Sequence, residues 1–134
     1  MSSSLLSAAC VLTELDHARL SGLPSVQQGH ALTQLLADAE RVPSSRVPSD
    51  VVTLYSMVLL RESDGLRTHR FVLCYPDDAE PQSGFISVLS SLGQALLGRR
   101  IGEALRGTLP SGEERVFVIE ALLFQPEASG DFTS

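Results

Sequence analysis

Residues 86–103 read Ile-Ser-Val-Leu-Ser-Ser-Leu-Gly-Gln-Ala-Leu-Leu-Gly-Arg-Arg-Ile-Gly-Glu, and their reading decides the fold. The stretch predicts the end of a strand, a capped two-turn helix and a glycine-punctuated return to a strand. Ser91 and Gln94 stand at the S-x-x-Q spacing of a capping box, in which two side chains satisfy the free amides of a helix start. Leu92, Ala95 and Leu96 fall on one face of that helix. Gly98 is placed to take the left-handed conformation that closes it, and Gly102 lets the chain turn sharply into the next strand. None of these side chains is chemically reactive, so the signature is architectural.

On both sides of this stretch the pattern is that of strands. Residues 51–60 are apolar on both faces and enriched in β-branched and aromatic types, which predicts a central strand. Ser63-Asp64-Gly65 marks a hairpin turn, and residues 68–75 form the returning strand. Pro76-Asp77-Asp78-Ala79-Glu80-Pro81 is a polar, acidic loop. Residues 85–89 make a third strand, and residues 104–109 and 115–124 pair across Pro110-Ser111-Gly112. The expectation is an antiparallel sheet of five strands crossed by one short helix. Internal repeats are absent from the sequence.

The first 47 residues read differently. Thr13 and Asp16 can cap a first helix of two turns that Gly22 ends. Pro24 follows, and Ser25-x-x-Gln28 is a second capping box. A second helix then runs to Arg41, with Leu32, Leu35, Leu36, Ala39 and Val42 on one apolar face. Pro43 stops it, and residues 42–49 form a linker. The reading is an α+β chain: a short antiparallel helical hairpin over residues 1–47, and a sheet domain over residues 48–134.

At 134 residues and 43% apolar, the chain has the length and composition of one domain with a small appendage. A chain of this size buries roughly two-thirds of its extended surface. The net charge is −6 and all ten basic residues are arginine. An acidic chain without a long basic run lacks the means to grip nucleic-acid phosphates by itself, so any role in gene expression would run through a protein partner. Cys10 and Cys74 lie far apart and match no metal or redox spacing. Cys74, in an apolar strand, reads as a small core hydrophobe. The first ten residues carry no basic side chain and only a short apolar run, which makes a poor signal peptide and a poor lipoprotein leader. No apolar stretch approaches the ~20 residues that span a bilayer. The expected location is the cytoplasm.

Catalytic chemistry finds little support. His17, His30 and His69 are scattered, with no paired spacing for a metal. Asp77, Asp78 and Glu80 lack the further oxygen ligands that a cation site needs and read as a solvated loop. The serines sit in caps, turns and the linker, with no nucleophile elbow and no phosphate-cradling glycine loop. No enzyme activity, cofactor or metal is expected.

The 86–103 stretch resembles the C-terminal domain of the Gre transcript-cleavage factors, whose pattern is roughly I-S-x-x-S-P-x-G-x-A-L-L-G-x-x-x-G-D. It is closer to the Rnk-type regulators of nucleoside diphosphate kinase. Pro48-Ser49-Asp50-Val51-Val52-Thr53-Leu54-Tyr55-Ser56-Met57 resembles the Rnk-type entry into the first strand. Gln125-Pro126-Glu127-Ala128-Ser129-Gly130-Asp131-Phe132 resembles the Rnk-type C-terminus. The likeness is good over residues 50–132 and looser over residues 11–41.

The resemblance implies an FKBP-like fold for the sheet domain, with an antiparallel coiled-coil hairpin projecting from it. It implies binding to the rim of the secondary channel of bacterial RNA polymerase, in competition with Gre factors. The family's gripping loop corresponds to residues 86–91, where Leu89 and Ser91 replace the family's Asp and Pro. By this likeness the partner-binding candidates are Ser87, Leu89, Ser90, Ser91, Arg99 and Arg100, the last two forming with Arg106 the chain's basic concentration. The hairpin tip would hold Leu23, Pro24, Ser25 and Gln27. Gre factors carry two acidic residues at their tip, which help hold the catalytic magnesium for transcript cleavage. Residues 21–28 contain no carboxylate; the nearest are Asp16 and Asp38. The expectation is therefore polymerase binding without cleavage. Two other readings stand beside it. One is a module acting on another protein, such as nucleoside diphosphate kinase. The other is a peptidyl-prolyl isomerase, which needs an aromatic-lined pocket that two Tyr and five Phe, several of them core-like, supply poorly; fold alone does not carry that function.

Overall fold

The computed structural model describes residues 10–24 and 32–130. Among the described residues the N-terminal part holds β1 (Val11–Thr13), α1 (Glu14–Ser21), α2 (Leu32–Asp38) and β2 (Glu40–Val42). Thr13 caps α1 as its spacing predicts, its hydroxyl oxygen accepting from the Asp16 amide at 2.9 Å. Gly22 ends α1, its amide reaching the carbonyls of Arg19 and Leu20.

The second helix departs from expectation. It stops at Asp38, and Glu40–Val42 pairs in parallel with Val11–Thr13. The apolar stripe does follow a helical period through Ala39. Beyond it a ladder on the wholly buried β1 is available, and the Glu40 amide bonds the Cys10 carbonyl at 2.8 Å. That partner is remote in sequence, so no local pattern announces it. The second capping box, Ser25 and Gln28, lies outside the described residues.

The five strands are β3 (Met57–Glu62), β4 (Thr68–Cys74), β5 (Phe85–Ser87), β6 (Ala104–Thr108) and β7 (Glu114–Phe124), in the order β5-β4-β3-β7-β6. Helix α3 (Ser91–Leu96) follows β5. The strand count agrees with the sequence reading, but the sheet is not wholly antiparallel: β5 runs parallel to β4. Residues 75–84 carry the chain back along the sheet through two 3-10 turns, and Gly84, at φ 89°, redirects it into β5.

The central strand also begins six residues later than the apolar run that predicted it. Val51, Val52 and Leu54 are buried, yet they form no strand: Val51 makes a single bridge to Arg100, and Val52 bonds the backbone of Arg99 and Gly98. Residues 53–56 form a turn in which the Ser56 amide bonds the Thr53 carbonyl and the Ser56 hydroxyl oxygen accepts from the Thr53 amide, each at 3.0 Å. Tyr55 sits inside it at φ 67°, a region L side chains seldom enter. Its ring meets Tyr75 edge-on at 5.6 Å, and its hydroxyl donates to Asp78. Apolar composition here signals burial rather than strand.

One face of the sheet supplies Val58, Leu60, Phe71, Leu73, Ile86, Phe117 and Ile119 to the core, and α3 closes over it with Leu92 and Leu96. Leu12, Leu20, Leu32 and Leu36 belong to the same cluster, so the residues before and after position 47 share one core. The C-terminal segment ties the linker down: the Gln125 side-chain amide donates to the carbonyls of Pro48 at 2.9 Å and Val51 at 2.7 Å. The hydroxyl of Thr53 donates to Glu127 at 2.7 Å.

Candidate functional site

The turn from β5 into α3 is held by a set of local hydrogen bonds. The Ser87 hydroxyl oxygen accepts from the Leu89 amide at 3.0 Å, while the Ser87 carbonyl accepts from the Ser90 amide at 3.0 Å and the Ser90 hydroxyl at 2.7 Å. Ser90, not Ser91, is the helix cap: its oxygen accepts from the Gly93 amide at 3.0 Å. Gln94 completes the turn by donating its side-chain amide to the Leu89 carbonyl at 2.9 Å. Two adjacent serines give two possible capping registers. The structure takes the one that lets Ser90 bond both ways, to the preceding strand and to the following helix.

Gly93 makes this geometry possible. A Cβ there would lie 2.0 Å from the Ser87 carbonyl oxygen, so the helix sits directly against the turn's backbone. Gly107 plays the same part on β6, where a Cβ would meet Leu92 Cδ1 at 2.5 Å. At the far end Gly98, at φ 77°, closes the helix as expected, with its own amide on the Val52 carbonyl at 2.9 Å. Cys10 and Val11 crowd it there. The close approaches of Gly93 and Gly107 were not anticipated from the sequence; a glycine inside a helix pattern is the signal that pointed to the first.

Among the partner-binding candidates, the roles divide. Ser87 and Ser90 are half-buried and consumed in building the turn. Ser91 is exposed. Leu89 is half-buried and faces a hollow shared with Leu23, Pro24, Arg19 and Tyr75. The structure thus places Leu23 and Pro24, expected at a distant tip, beside the Leu89 turn; Ser25 and Gln27 lie outside the described residues. On its other side the turn borders a groove of about 350 Å³ lined by Ile86, Leu92, Leu109 and Pro110.

Arg99 and Arg100 follow the opposite end of α3, a six-residue helix of about 9 Å. Each is held locally, Arg99 by Glu103 at 3.5 Å and Arg100 by Asp50 at 3.3 Å. Arg106 stands apart from them, lining a surface hollow with Arg67, Arg115 and Glu114. The basic concentration expected from the sequence is therefore two separate patches, each dotted with carboxylates.

The two acids nearest the expected tip are also placed. Asp16 is 1% exposed, and one of its oxygens accepts from the Leu54 amide at 3.2 Å. Burial pushes its pKa up to about 6, against the opposing pull of that hydrogen bond, with nearby Glu127 adding to the rise. Asp38 is exposed at the end of α2 and accepts from the Gln34 side chain at 3.0 Å. Among the described residues no three His, Cys, Asp or Glu side chains gather as a metal-binding group, and no described helix is long and apolar enough to cross a membrane.

Residues 47–122 match the family described as transcription elongation factor, GreA/GreB, C-terminal. The chain is 35% identical over 119 residues to the regulator of nucleoside diphosphate kinase of Escherichia coli K12, covering 88% of this chain and 85% of that protein. It is 34% identical over 91 residues to transcription elongation factor GreA of Thermotoga maritima, covering 68% of this chain and 58% of GreA. Among solved structures, a GreA/GreB elongation factor from Nitrosomonas europaea superposes with a TM-score of 0.70 at 28% identity, over 87% of this chain and 98% of that one.

Proposed function

This chain belongs to the GreA/GreB family, as a regulator of the elongation-factor type, and we propose that it docks on RNA polymerase at the secondary-channel rim without stimulating transcript cleavage. The observation that carries the docking is the turn at residues 87–91. Its backbone is locked by five hydrogen bonds from Ser87, Ser90 and Gln94, and it presents Leu89 and Ser91 at the position of the family's gripping loop. A rigid turn loses little conformational freedom on binding. In this reading the sheet domain, residues 48–134, is the docking body, and Arg99 and Arg100 are secondary contacts.

The proposed absence of cleavage is supported by where the acids lie. Transcript cleavage needs carboxylates free to reach a divalent ion. Asp16 is buried with an oxygen on the Leu54 amide, and Asp38 sits at the end of α2 remote from residues 21–24 in sequence. Helix α1, with eight residues, spans about 12 Å. Its Leu20, like Leu32 and Leu36 of α2, is committed to the shared core.

The test is retention of the purified chain by core RNA polymerase, together with an assay of RNA release from stalled complexes. The expected result is retention that excess Gre factor displaces and that Leu89→Asp weakens, with no RNA shortening. Absence of retention overturns the docking, and shortened RNA overturns the second half of the proposal. A second reading, action on nucleoside diphosphate kinase, is favoured by the name of the 35% identical Escherichia coli relative, a regulator of that kinase. Retention of the chain by that kinase and not by polymerase would select it.

A further inference from the structure

The sheet face turned away from the core carries a row of apolar side chains. Phe85 is the register partner of Val72, Val72 of Met57, and Met57 of Phe124. Register partners share a face, so the four line up across β5, β4, β3 and β7 over about 14 Å. Phe85 is 37% exposed and Phe124 44%, while Met57 and Val72 are half-buried. The core-facing residues beside them, Val58, Phe71 and Leu73, are buried.

The two flanks of this row carry opposite charge. Arg70 lies two residues before Val72 on β4, and it lines a hollow with Met57, Val72 and Phe85. Beyond the other end of β4 come Asp77, Asp78 and Glu80, which line a second hollow with Tyr55 and again Phe85. Phe85 is thus the ridge between a basic and an acidic hollow. Arg70, Asp77 and Glu80 make no ion pair among the described residues, and Asp78 is engaged only by the Tyr55 hydroxyl.

We propose that this face is the interface of a two-fold dimer of the chain, with the Phe85–Val72–Met57–Phe124 row stacked on its counterpart and Arg70 of each copy set against the acidic hollow of the other. A closed two-fold contact places the same patch on both copies. With the axis lying along the row, each row residue meets its own equivalent. The flank on one side of the row then falls over the flank on the other side in the second copy. Base therefore meets acid twice, although the chain as a whole carries −6 and two copies repel at a distance. A foreign partner has no reason to require opposite charges mirrored about one apolar row; a second copy does. The contact is small, so the dimer belongs to the weak, concentration-dependent class.

The test is sedimentation equilibrium of the full chain up to high concentration, on the order of 1 mM, where weak interfaces become populated. The wild-type chain should dimerise, and less so in high salt, which screens the paired flanks. Arg70→Glu alone, and Asp77→Arg/Glu80→Arg alone, should each raise the dimer Kd by about tenfold or more, because each places like charges opposite one another. An equimolar mixture of those two variants should recover dimerisation, since both flank contacts are again opposite in sign. Phe85→Ser should weaken the dimer in any mixture. Far-UV circular dichroism of each variant confirms folding. A monomer at every concentration overturns the proposal. So does a dimer indifferent to these substitutions, or a mixture that fails to recover.

Discussion

The turn at residues 87–91 with its helix α3, and the N-terminal segment from Cys10 to Val42, are held by different kinds of contact. The turn is closed by hydrogen bonds between residues within five positions of one another and by the direct seating of Gly93 on Ser87. The N-terminal segment is held from far along the chain. Its strand β1 pairs with β2, Asp16 reaches Leu54, and Leu12, Leu20, Leu32 and Leu36 enter a core built mainly by the sheet. The first region is a rigid local device. The second is stable only as part of the whole, and one of its ties is a buried carboxylate whose charge depends on pH.

The sharpest way to break the local device is Gly93→Ala. Its methyl group would need the space of the Ser87 carbonyl, 2.0 Å away, and neither the helix nor the strand end has a flexible side chain to yield. Overpacking against backbone should cost about 3 kcal/mol or more, read as a lowered midpoint in urea. If the turn docks as proposed, polymerase retention should fall with it, because the turn is displaced. A variant of wild-type stability would show that α3 sits farther from the turn than described.

The corresponding probe of the N-terminal segment is Asp16→Asn, followed against pH. The folded pKa, about 6, lies above the ~3.9 of an unfolded aspartate, so the folded chain binds this proton more tightly. The stabilisation from that proton is complete below about pH 4 and is lost as pH rises through about 6, amounting to about 3 kcal/mol in all. Asparagine cannot ionise and its side-chain oxygen can still accept from the Leu54 amide. The difference in unfolding free energy between variant and wild type should therefore move in the variant's favour from pH 4 to pH 7. A difference that stays constant over that range would show that Asp16 is solvated and the segment loosely held.

The smallest expected effect separates the two serines. Ser90→Ala removes the cap and its bond to Ser87 and should cost about 1 kcal/mol. Ser91→Ala removes an exposed hydroxyl for which no hydrogen bond is described and should change stability by less than about 0.5 kcal/mol. Equal effects would mean that both registers are populated.

The same division explains what could be read from the sequence. Thr13, Gly22, Gly98 and Gly102 were placed correctly because each acts on its immediate neighbours: a cap, two helix ends, and a left-handed turn at φ 95° for Gly102. The S-x-x-Q spacing located the start of α3 but missed the cap by one residue, because Ser90 and Ser91 are locally equivalent until the Ser87 carbonyl chooses between them. The β2 strand, the parallel placement of β5 and the late start of β3 escaped notice because each depends on a partner distant in sequence. For the candidate site, residues 86–91 were found through the family pattern. What each does was not legible: only the structure distinguishes Ser87 and Ser90, which build the turn, from Ser91, which is left exposed, and Leu89, which faces the hollow beside Leu23 and Pro24.

The most direct test of the docking turn is an equilibrium competition. Labelled Gre factor bound to core RNA polymerase would be titrated with this chain, with its Leu89→Asp variant and with its Ser91→Ala variant. The docking proposal predicts complete displacement by the wild-type chain, a weakening of about tenfold or more for Leu89→Asp, as befits a charge placed at the centre of an interface, and a smaller change for Ser91→Ala. Gre factor that stays bound at every concentration, or displacement equally strong with Leu89→Asp, would contradict it.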